Sequence, residues 1–126
     1  MFGAADAPDA EEPVVLPVDV PARRAQLAEL ESALRELAGA MAGEERMANP
    51  GWHGRVDDLR FAATEAAKLS RVEFDRAALQ DLAAEVRPLY GPGDVPAEYA
   101  PYQAEHDRVL AAADALREPL PGESEA

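Results

Sequence analysis

Leu27, Leu30, Leu34, Leu37 and Met41 follow one another at spacings of three, four, three and four residues. An α-helix turns once in about 3.6 residues, so this run draws a single apolar stripe down one helix. Alternating threes and fours are the pattern of a coiled-coil seam, which must be buried lengthwise against other helices. Charged neighbours (Glu29, Glu31, Arg35, Glu36) keep the stripe narrow. Asp19 is placed to cap this helix and Pro21 is tolerated in its first turn. The helix is expected over about 20–47 and to stop at Asn49-Pro50-Gly51, where proline cannot continue it and glycine suits a turn.

The composition points the same way. Among 126 residues 28 are Ala, there is no Ile, and the only Thr is Thr64. Alanine is the best helix former and contributes little to a core, whereas β-branched residues weaken helices. The expected fold is therefore all-α: a three- or four-helix bundle with a coiled-coil-like first helix and disordered acidic termini. With so many alanines the core is thin, and a second copy or a partner is expected to complete part of the apolar surface.

Further helices are expected over about 54–69, 70–87 and 101–118. Val56, Leu59, Ala63 and Ala66 mark the face of the first of these, with Phe61 pointing away from it. Ser70-Arg71-Val72-Glu73 has the form of a capping box, with Leu69 and Phe74 placed as its hydrophobic staple, so a new helix is expected at Ser70. One kinked helix from 54 to 87 is the alternative. Leu79, Leu82 and Val86 give the next face, which Pro88 ends. A loop of about a dozen residues from 88 is longer than most helix connections. Val95, Tyr99, Tyr102, His106, Val109, Ala113 and Leu116 form a last stripe, although Pro101 argues against a continuous helix from 95.

The domain is expected over 13–118, between an acidic disordered segment 1–12 and an acidic tail 119–126. Within it, residues 13–20 read as extended, because Pro13, Pro17 and Pro21 exclude a helix. That segment carries Val14, Leu16 and Val18, which either pack along the bundle or dock on another protein.

Several chemistries are excluded or disfavoured. Without Cys there can be no disulfide and no thiolate ligand or nucleophile. His53 and His106 are the only histidines, and neither stands in the Glu-x-x-His pattern of di-iron bundles, so no metal or other cofactor is expected. The formal net charge of −13 is the reverse of what a nucleic-acid surface requires. No signal peptide or membrane span is apparent, which makes the cytoplasm the expected compartment, and eleven Arg against one Lys suggests a bacterial source. No phosphate-binding loop or nucleophile elbow occurs, and the chain is not expected to be an enzyme.

What remains is recognition. The sequence reads as a protein–protein interaction module, an adaptor, assembly or regulatory factor, working with a protein partner or as a homodimer. The candidate contacts are Trp52, Phe61, Tyr90, Tyr99 and Tyr102, with Val14, Leu16 and Val18 of the extended segment. Trp52 is read either as an anchor for a partner or as a cap on the bundle core, and the tyrosine loop as either surface or packing. An acidic decoy for a basic nucleic-acid-binding protein and a small helical enzyme are the alternative functions.

Overall fold

The computed structural model describes residues 18–43 and 45–123, so the expectations placed on 1–12, Val14 and Leu16 lie outside the described residues. Among the described residues four helices pack against one another: α1 (Val20–Ala42), α2 (Pro50–Leu69), α3 (Arg76–Glu85) and α4 (Gln103–Arg117). Short 3-10 turns at Glu45–Ala48 and Ala100–Tyr102 lead into α2 and α4. Among the described residues there is no strand, and no helix is long and apolar enough to cross a membrane.

The stripe on α1 organises the molecule. Leu27, Leu30, Leu34, Leu37 and Met41 are all fully buried, and α1 is sandwiched between α2 and α4. The shorter α3 packs mainly on α4 and touches α2 lightly. The seam is thus closed within one chain. Alanines complete the core around it: Ala33, Ala38, Ala63, Ala66 and Ala113 are each nearly or completely buried.

Three helix boundaries differ from expectation, each because a side chain competes for a helix end. First, α1 stops at Ala42 rather than near 47. The last carbonyls of a helix have no partner within it. That of Met41 accepts the indole N–H of Trp52 at 3.0 Å, which takes the place of another helical turn. Second, Asn49-Pro50-Gly51 begins α2 rather than merely ending α1. The Asn49 side-chain oxygen accepts from the N–H groups of Gly51 and Trp52 at 2.8 and 3.3 Å. Pro50 occupies the first helical position, where a missing N–H costs nothing.

Third, Ser70 ends α2 instead of opening α3. Its hydroxyl donates to the Ala67 carbonyl at 2.7 Å, leaving it unavailable to a following turn. Asp75 makes the cap expected of Ser70, accepting from Ala78 N–H at 2.9 Å. Residues 70–75 therefore separate two helices, and the single kinked helix is not formed. α4 begins at Gln103, close to expectation.

The expected acidic tail is corrected as far as Glu123. Arg23, on the first turn of α1, is completely buried. Its guanidinium donates to Gln26 Oε1 at 2.8 Å, to the carbonyls of Ala115 and Glu118 at 3.0 and 2.7 Å, and to both oxygens of Glu123 at 2.9 and 2.5 Å. Gly122, at φ 89°, turns the chain so that Glu123 can return. The Glu123 carboxylate also accepts from the N–H groups of Asp19 and Leu120 at 2.8 and 3.0 Å. Arg23 is a fixed positive centre that recruits the end of the described chain, so Glu123 is a structural charge and not a solvated one.

Candidate functional site

The candidate contact residues separate into two groups. Trp52, Tyr99 and Tyr102 are buried, and they are corrected from surface to core. Trp52 stacks on Tyr99 with ring centroids 5.3 Å apart and meets Tyr102 at 5.9 Å. Tyr90, half-buried, extends the cluster to Tyr99 at 5.9 Å and to His106 at 4.2 Å. Arg46 lies over the Trp52 ring and Arg55 over Tyr99. The long loop after α3 thus packs its aromatic residues onto the end of the bundle. Rings of this size contribute more as core than as exposed surface.

His106 belongs to the same cluster. Its Nε2 accepts from Leu89 N–H at 3.2 Å, so the ring proton sits on Nδ1, facing Asp107 Oδ1 at 3.2 Å. A buried backbone donor that would otherwise go unpaired is thereby satisfied. The Tyr90 phenol is held above its usual range by burial, reinforced by the Asp107 carboxylate. Among the described residues no group of three or more His, Cys, Asp or Glu converges as metal ligands would. Val18 is half-buried at the first described position, and Val14 and Leu16 precede it.

Phe61 is the exception, being 61% exposed. Because α3 touches α2 so lightly, an open groove of about 860 Å³ runs between α2 and residues 85–89, and Phe61 stands on its edge. Leu34, Leu59, Ala62, Val86 and Leu89 give it an apolar floor, with Pro50 and Pro88 at its sides. Arg55, Asp58, Glu85 and Arg87 are the charged residues among its walls. Gly54 leaves a gap in the α2 wall, since a Cβ built there would meet nothing within 4 Å. Val72, also exposed, lies outside the groove.

Sequence reasoning gave no contact role to Gly54, Arg55, Val86, Arg87 or Leu89, and read Val86 only as part of a helix face. By sequence Gly54 stands just before a helix, and with α2 starting four residues earlier it becomes a hole in a helical face. Val86 and Leu89 depend on how lightly α3 meets α2, for which no local signal exists.

Elsewhere the surface is held by ion pairs. Arg108 on α4 donates to both carboxylate oxygens of Glu29 on α1 at 2.8 and 3.0 Å and to Glu36 at 3.2 Å. The hydrogen bonds from Arg108 lower the Glu29 carboxyl below its ordinary range, opposed by desolvation and aided by the guanidinium charge. Comparison with known proteins found no matching family model, no matching curated protein and no matching solved structure.

Proposed function

We propose that the protein is a non-enzymatic interaction module that presents the exposed face of α2 and its adjoining groove to a protein partner. One observation carries the reading: Phe61, a large apolar side chain 61% exposed, stands at the edge of an open groove with an apolar floor. Exposed apolar surface rimmed by charge marks interaction sites, because association removes that surface from water while the charges set orientation. The acidic-decoy reading has less support. Several of the acidic residues, Glu29, Glu31, Glu36 and Glu123, are held by arginines of the same chain.

A photoreactive phenylalanine analogue at position 61 tests the reading directly. Irradiation is expected to give a protein–protein adduct through that position, and Gly54→Leu, which fills the groove without crowding the backbone, is expected to remove it. Recovery of no adduct, or of the same adduct at equal yield with Gly54→Leu, would overturn the docking role of the groove.

A further inference from the structure

The face of α2 that borders the groove is complementary to itself. Phe61 is a projecting knob and Gly54, seven residues earlier, is a hole on the same side of the helix, since seven residues make close to two turns. Between them lie Arg55 and Asp58, of opposite charge. Among the described residues neither forms an ion pair within the chain; Arg55 rests over the Tyr99 ring.

We propose that the occupant of the groove is a second copy of this chain, with two α2 helices packed antiparallel about a two-fold axis. This rests on the groove being the docking surface and names what fills it. A two-fold interface sets residue i against residue j and j against i. Antiparallel α2 helices in the register that sets Phe61 of each copy over Gly54 of the other also bring Arg55 of each copy towards Asp58 of the other. One register therefore satisfies the knob, the hole and both charges twice. Gly51, one turn before Gly54 and exposed, is also small and lets the two backbones approach.

The interface is separate from folding. The Leu stripe is closed inside one chain, so association adds to an already folded monomer. The two Arg55–Asp58 pairs also select orientation, because a parallel pairing would not bring both pairs together about this register.

Sedimentation of the full chain over about 1 µM to 1 mM, a span covering ordinary weak dimers, tests the proposal. A monomer–dimer equilibrium is expected, weakened about tenfold or more by Phe61→Asp and by Gly54→Leu, with helical circular dichroism retained. The decisive variants exchange charge. Arg55→Glu is expected to weaken the dimer, because the new carboxylate of each copy then faces Asp58 of the other. Arg55→Glu combined with Asp58→Arg is expected to restore it, which a purely structural role of either residue does not predict. A wild-type chain that stays monomeric throughout overturns the second copy as occupant, and a position-61 adduct with a different protein would then leave the groove's docking role standing. A dimer indifferent to Phe61→Asp and Gly54→Leu overturns the surface, and one not rescued by the charge exchange overturns the register.

Discussion

Glu123 shows how much one residue can organise. The Arg23 guanidinium, through its hydrogen bonds, holds this carboxyl at about 2 against an ordinary 4.5, and the N–H groups of Leu120 and Asp19 add to the effect. The folded state therefore binds the proton more weakly than the unfolded state does. The pair's contribution is complete above pH 4.5 and is lost as the pH falls from there towards 2. Glu123→Gln leaves a buried guanidinium without its counter-charge and is expected to lower stability by about 3 kcal/mol at pH 7. Urea titrations at pH 7 and pH 3 check both points, the difference between wild type and variant shrinking at the lower value. Trp52 is the second such residue. Trp52→Phe, which keeps a ring but releases the Met41 carbonyl, is expected to cost about 1–3 kcal/mol. Trp52→Ala is expected to cost about 3–5 kcal/mol, so a binding test that truncates Trp52 together with Phe61 would confuse unfolding with loss of contact.

At the scale of the element, the sequence shows faces well and ends poorly. All five residues of the α1 stripe are buried, as are Val56, Leu59, Ala63 and Ala66 on α2 and the residues from Tyr99 to Leu116 on the last stripe. These positions are fixed by periodicity, which any packed helix must obey. The ends turn on which of several polar side chains captures a free N–H or C=O. Ser70 and Asp75 are both competent caps five residues apart, and only tertiary packing chooses between them. The same limit hid the groove, since the floor formed by Val86 and Leu89 comes from chain that follows a helix end. Helix interiors, by contrast, support a clean prediction. Gly39 lies inside α1, and a Cβ there would meet nothing within 4 Å. Gly39→Ala is expected to raise stability by about 0.5–1 kcal/mol through helix propensity alone. A rise in the urea midpoint at unchanged slope would show it, and a fall would mean that the α1 backbone at this point is approached by something else.

For the whole molecule, the question is whether folding and association are one process or two. An Ala-rich sequence joins them, because its core looks too thin to stand alone. The structure separates them: α1 buries its stripe between α2 and α4, Arg23 and Glu123 tie the end of the described chain to its start, and the aromatic cluster closes the opposite end. Among the described residues, the large apolar side chains left exposed are Phe61 and Val72. A partner that binds only the folded chain raises the melting temperature by mass action, in proportion to the logarithm of its concentration, and leaves the dilute limit untouched. The wild-type melting temperature is therefore expected to climb with protein concentration from a dilute value that is already that of a folded helical bundle. Phe61→Asp is expected to share the dilute value to within a few degrees, as substitutions at exposed sites change stability by about 0.5 kcal/mol or less, and to lose the climb. Melting curves recorded by circular dichroism at several concentrations test the separation. A wild-type chain that is unfolded when dilute and gains structure only as it concentrates would show that the bundle is completed by its partner after all.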